Sequence, residues 1–181
     1  MKRLFTLTAF ALTIACGSLA AVPVEARARA GSLRADVYNY PDVDFAGDIQ
    51  PWRGELGTLC GRTTVEDINF AWGGGSVAGC QSDDVAIHFT GFISVPRAGT
   101  YTFYTSSDDG VRMIVNRRLV IYNWVDQGDF LFNALGVIRL RGKAKLDLWY
   151  YENGGGAAMK LYYSTSRSGP TLVPSSWFSI R

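Results

Sequence analysis

Glycine and proline interrupt the second half of the chain at close intervals: Gly91, Pro96, Gly99, Gly110, Gly128, Gly136, Gly142, Gly154 to Gly156 and Pro170. No long helix survives such punctuation, because glycine weakens a helical interior and proline breaks it. The segments in between are short and alternate with period two. Val85, Ile87 and Phe89 alternate with Ala86, His88 and Thr90; Ala144, Leu146 and Leu148 alternate with Lys143, Lys145 and Asp147; Met159, Leu161 and Tyr163 alternate with polar or aromatic partners. Each set lines one face of a pleated strand. Short strands at this spacing build an antiparallel β-sandwich or barrel, so the expected fold class is all-β. Composition agrees: 20 glycines and only 19% charged residues suit turns and strands, and 48% hydrophobic residues suffice for one core in 181 residues.

The first part of the chain is less regular. Tyr38 to Phe45 reads as an opening strand and loop, and Gly54 to Trp72 as a strand or one helical turn around Thr64-Val65-Glu66-Asp67. Before it, Lys2 and Arg3 precede an apolar run from Leu4 to Ala15 and then Ser18-Leu19-Ala20. A basic start, an apolar centre and small residues are the order of a secretory signal peptide. The run is shorter than the ~20 apolar residues of a membrane span, so no transmembrane segment is expected. Residues 1–20 are therefore read as a signal peptide, with cleavage as late as residue 30 an alternative, and residues 31–181 as one domain. Lipidation at Cys16 is a second alternative, set behind the first because Thr13 stands where that motif takes leucine.

Loss of Lys2 and Arg3 takes the formal charge from +2 to 0. A near-neutral domain without a run of Lys and Arg has no electrostatic footprint for nucleic acid or an anionic membrane. With Cys16 in the leader, Cys60 and Cys80 remain, and an exported protein with two cysteines pairs them. Closing a loop of this size stabilises by about 3 kcal/mol in the chain-entropy model.

Catalytic constellations are sparse. His88, the only histidine, falls at an outward strand position, and no Gly-x-Ser-x-Gly elbow accompanies it. One histidine and a disulfide leave too few ligands for zinc. Asp108 and Asp109 are adjacent, unlike the separated acid pair of a glycosidase. Glu152 is available as a lone acid or in a supporting role. The chain is read as a non-enzyme.

Asp108-Asp109-Gly110 is read as a corner between strands. Successive strand side chains leave on opposite faces, so the two carboxylates share one cation only if the backbone between them is bent or cis. The series Gly99-Thr100-Tyr101-Thr102-Phe103, Ser107-Asp108-Asp109-Gly110-Val111-Arg112, Leu119-Val120-Ile121, Trp124, Tyr150-Tyr151-Glu152, Gly154-Gly155 and Leu161 resembles the PA14 family. The resemblance runs from Gly31-Ser32-Leu33 to Val173-Pro174, and departs at Asn116-Arg117-Arg118, where the family often has an Asp-Gly-like turn. It implies a β-sandwich and, by likeness to the sugar-binding members, a cis Asp108-Asp109 pair that coordinates calcium. It further implies that a loop after the Tyr-x-Glu strand completes the site, and Asn153 matches the amide position. Calcium suits such ligands, since it takes six to eight oxygens in flexible geometry. Gly154 and Gly155 are expected to turn carbonyls toward the ion.

The function expected is a secreted, calcium-dependent carbohydrate-binding module, lectin- or adhesin-like, with glycans or cell-surface glycoconjugates as partners. Asp108, Asp109 and Asn153 would hold a sugar diol through the ion. Trp72 and Tyr122 are candidate platforms for its apolar face, Tyr40 is also available, and Trp124 is assigned to the core. The alternative is a PA14-type structural or protein-interaction module without sugar binding.

Overall fold

The computed structural model describes residues 31–47 and 49–181. The expected signal peptide and Cys16 lie outside the described residues. Ten strands follow in order: β1 Leu33–Asn39, β2 Thr58–Val65, β3 Asn69–Gly73, β4 Val85–Asp108, β5 Val111–Val115, β6 Arg118–Asn123, β7 Ala134–Glu152, β8 Ala157–Thr165, β9 Ser168–Leu172 and β10 Phe178–Ser179. All pairings are antiparallel, in the order β2-β1-β4-β7-β5-β6, with β8 joining β4 to β3 and β9. The all-β antiparallel expectation holds.

Two long strands organise the molecule. β4 and β7 pair from Val85–Glu152 to Thr105–Ala134, with one register shift between Val95 and Gly99. Pro96 falls at that shift and Gly142, at φ 63°, lies opposite Val95. The early half of β4 pairs on its other edge with β1, and the late half with β8. One strand pair thus contributes to both leaves of the sandwich. Ile87 and Phe89 from the early half share a core with Phe103 and Tyr101 from the late half. Burying each such side chain stabilises by about 1.5–3 kcal/mol.

The first part of the chain differs from expectation. The opening strand begins at Leu33, because Leu33, Ala35 and Val37 alternate into the core. Gly54 to Trp72 holds two strands and no helical turn. The segment from Tyr40 to Trp52 lies over the opposite side of the β4–β7 pair and encloses a second cluster of Tyr38, Tyr40, Phe45, Ala86, Trp124, Trp149 and Tyr151. Trp124 is core, as expected, and its Nε1–H donates to the carbonyls of Phe45 (3.0 Å) and Ile49 (2.9 Å). Tyr40 is buried there, with its hydroxyl donating to Glu55 O, so it is no ligand platform. The Cys60–Cys80 disulfide is present and ties β2 to the turn after Val77–Gly79.

Candidate functional site

The acidic corner stands where β4 ends. Its peptide Asp108–Asp109 is cis, as the resemblance implies. Gly110 follows because a Cβ there would lie 2.2 Å from Tyr151 Cε1; close approach, not a positive φ, is what demands glycine. Asp109 N–H donates to Tyr151 O (3.1 Å) and Tyr151 N–H to Gly110 O (3.0 Å), which fastens the corner to β7. Asp108 pairs with Ala158 at the start of β8. The link from β7 to β8, Asn153 to Gly156, therefore has to pass over the corner. A Cβ on Gly156 would lie 3.4 Å from Asp108 Oδ2.

Asp109 is 5% exposed and firmly held. Its Oδ1 accepts the N–H of Gln127 and its Oδ2 the N–H of Asn153, each at 2.8 Å. Gln127 Nε2–H also donates to Asp109 O (3.0 Å) and Ser107 Oγ (3.2 Å). Asn133 Nδ2–H donates to Ser107 O, so the loop from β6 to β7 is fixed beneath the corner. Tyr150 hydroxyl donates to Asp108 O at 2.6 Å.

Glu152 is the third member. It is fully buried, and oxygens of Asp108, Asp109 and Glu152 all lie within 4.8 Å of one another. Its Oε1 has no hydrogen-bond partner. Period two along β7 explains its place: Ala144, Leu146, Leu148 and Tyr150 face the core, and Glu152 continues that face to the rim. Burial, and then the charges of Asp109 and Asp108, push its carboxyl up to about 9. Burial, then the Asp109 charge, raises Asp108; burial raises Asp109 in spite of the N–H donors of Asn153 and Gln127. Asp126 accepts the Tyr151 hydroxyl (2.8 Å) and Asn153 Nδ2–H (3.3 Å), and Asp83 accepts Gly155 N–H (3.2 Å). Lys160 pairs with Asp129 (2.6 Å). The acids outnumber the cations at this rim, and the three oxygens with one orphaned make a donor set for a hard cation.

The expected residues divide. Asp108, Asp109, Asn153, Gly154 and Gly155 come together. The loop faces the acids with N–H groups, however, and Gly155 O faces Gly74. Trp72 is half-buried on β3, stacked on Phe70 (4.8 Å) and 5.8 Å from Tyr150, one ring away from the corner. Tyr122 is not gathered with them: β6 turns it to the outer surface, 56% exposed, with its ring against Trp52 (6.1 Å). Asp83, Asp126, Gln127, Asn133 and the place of Glu152 were not legible. The run Asp126-Gln127-Gly128-Asp129 was the available signal, a polar turn carrying two acids. Phe130 and Leu131, on the same loop, are 69% and 72% exposed beside it.

Comparison with known proteins places the fold. A stretch of 110 residues is 31% identical to the anti-sigma-I factor RsgI3 of Acetivibrio thermocellus, covering 60% of this chain and 17% of that protein. An anti-sigma factor domain-containing protein from Clostridium clariflavum superposes with a TM-score of 0.65 at 25% identity, over 81% of this chain and 46% of that one. This chain thus spans less than half the length of these two relatives. The PA14 sugar-binding domain from an RTX adhesin superposes with a TM-score of 0.65 at 20% identity, over 83% of this chain and 99% of that domain. The model of the PA14 domain matches residues 38–177, and the chain belongs to the PA14 domain family.

Proposed function

We propose that the protein is a calcium-dependent carbohydrate-binding module whose ion site is the Asp108, Asp109 and Glu152 cluster. The observation that carries this reading is the convergence of three carboxylates within 4.8 Å, one of them fully buried with an unpartnered oxygen. Carboxylate oxygens and neutral amide or carbonyl oxygens suit calcium, and no soft ligand is present among the three. Asp108, Asp109 and Glu152 would hold the ion, with Asn153, Gly154 and Gly155 closing over it. Calcium bound there supplies open positions for two neighbouring sugar hydroxyls. The chain's own part is to orient the acids through Gln127, Asn153 and Tyr150, and to offer an apolar surface for the sugar ring. Phe130, exposed on the loop that carries Asp129, and Trp72, half-buried beside Tyr150, would be the rings for that.

Export fits the leader and the Cys60–Cys80 disulfide, since disulfides persist in oxidising compartments. Among the described residues no helix is long and apolar enough to cross a membrane. A role in binding without catalysis fits the position of His88, stacked on Trp149 at 3.9 Å on the outer surface. Similarity to anti-sigma factors favours a second reading, in which the module contacts a protein partner. A glycan array run with calcium, with EDTA and after calcium is restored separates the two. The expected result is binding that vanishes with EDTA and returns; no glycan bound in calcium would favour the protein-interaction module. Affinity for a single sugar is expected to be modest, because a shallow site leaves ordering costs largely uncompensated.

A further inference from the structure

Away from the corner, β1, β4, β7 and β5 turn a second set of side chains outward. Asp36, His88, Trp149 and Arg112 form one cross-strand row, with Tyr122 opposite Arg112 on β6. Arg34, Thr90, Asp147 and Ile114 form the next, and Phe92 opposite Lys145 begins a third. Three hollows follow these rows. One of 410 Å³ is lined by Tyr38, Trp52, Arg112 and Trp149; one of 240 Å³ by Arg117 and Lys145; one of 380 Å³ by Arg34, Phe92 and Lys145. Asp147 borders all three, so they join into one groove along the sheet face.

The groove is basic and floored with rings. Arg34, Arg112, Arg117 and Lys145 line it, and Lys143 sits over Phe92 at 4.3 Å. Its acids lie beside cations: Asp36 pairs with Arg62 at 2.9 Å, and Asp147 stands 3.4 Å from His88 Nε2 with the charges of Arg112 and Lys145 acting on it. Arg112 is half-buried, lies 4.5 Å over the Trp52 ring, and makes no hydrogen bond to a described residue. Stacking on the indole fixes the guanidinium plane while leaving its donors free, a state suited to receiving a carboxylate or sulfate in bidentate fashion.

We infer that this groove is a second, calcium-independent binding site, for an acidic polysaccharide whose sugars carry carboxylate or sulfate groups. The cations take the anionic groups, and Asp147 accepts from sugar hydroxyls. A phosphodiester chain is a poorer match. Trp149 and Trp52 each have a face occupied, by His88 and Arg112, where base stacking wants open rings, and a DNA backbone has no hydroxyl to donate to Asp147.

The test is biolayer interferometry in EDTA on the whole domain, which silences the calcium site, so failure here and failure of the calcium reading are distinguishable. Immobilised alginate, dextran sulfate, neutral dextran and oligothymidylate are the probes. Binding to alginate or dextran sulfate, none to dextran, and weakening with salt are expected. Whichever polyanion binds identifies the anionic group. Arg112→Gln and Lys145→Gln should each weaken binding roughly tenfold, the scale of one charge-assisted hydrogen bond. Arg97→Gln, in a separate cavity with Arg167, should leave it within about twofold. Lys145 is exposed, so its variant stays informative if Arg112→Gln fails to fold. Equal losses in all three variants, preference for oligothymidylate, or no polyanion bound would each overturn the assignment.

Discussion

Asp109 and Glu152 show how one acid is restrained and another left wanting. Asp109 has both oxygens occupied by backbone N–H groups, whereas Glu152 is buried with Oε1 unpartnered. An unsatisfied buried carboxylate oxygen is costly, and a cation at the corner would satisfy it. The expected outcome is that Asp109→Asn and Glu152→Gln each weaken calcium binding roughly tenfold or more, because charge count sets affinity in such sites. Isothermal titration with calcium checks this. Glu152→Gln should retain the melting temperature of the wild type in EDTA, since an amide of the same shape buries no charge. A Glu152→Gln variant with unchanged calcium affinity would remove Glu152 from the ion's shell.

At the scale of elements, the β4–β7 pair decides where the site is. These strands run through both leaves, so the end of β4 and the end of β7 arrive at one rim, and the β6–β7 and β7–β8 connections are brought there with them. The start of β7 has to cross β6 closely to do so. A Cβ on Gly136 would lie 1.8 Å from Val120 O, a backbone atom that cannot swing away. Gly136→Ala is therefore expected to destabilise by about 1–3 kcal/mol, the usual cost of overpacking. Gly169 on β9 has open space around it, and Gly169→Ala should stay within about 0.5 kcal/mol. Urea denaturation of both variants makes the comparison, and equal midpoints would show that the crossing relaxes.

For the whole molecule, an ion joining the ends of β4 and β7 binds the folded state and not the unfolded chain. Calcium at a hundred times its Kd should then stabilise by about 2.7 kcal/mol. For a domain of this size that is a rise in Tm of roughly 5–10 °C, read by calorimetry against EDTA. Asp109→Asn should abolish the rise. A calcium-dependent shift that persists in Asp109→Asn would place the ion elsewhere. The outer groove is a separate matter at this scale: its row at Trp149 is three residues before Glu152 on the same strand, yet on the opposite face.

Local physics in the sequence was enough for the fold class, the outward place of His88 and the Cys60–Cys80 bridge, whereas the core place of Trp124 came from the family resemblance. Alternation, punctuation and cysteine count act over a few residues or by simple pairing, and one dimension carries them. The cis corner and the Asn153 loop were legible only through family resemblance, because a dipeptide of acids reads equally well as a solvated turn. Tertiary structure alone decided three things. It set Glu152 beside Asp108 and Asp109, since the period of β7 names the face that Glu152 lies on but not the end of β4 that meets it there. It sent Tyr122 outward and Tyr40 into a second core, since the Tyr40–Trp52 segment has no periodicity that names its covering role. And it brought Gln127 and Asp126 to Asp109 across 18 and 17 positions of chain, a convergence set by the crossing of long strands and invisible to any window shorter than the strands themselves.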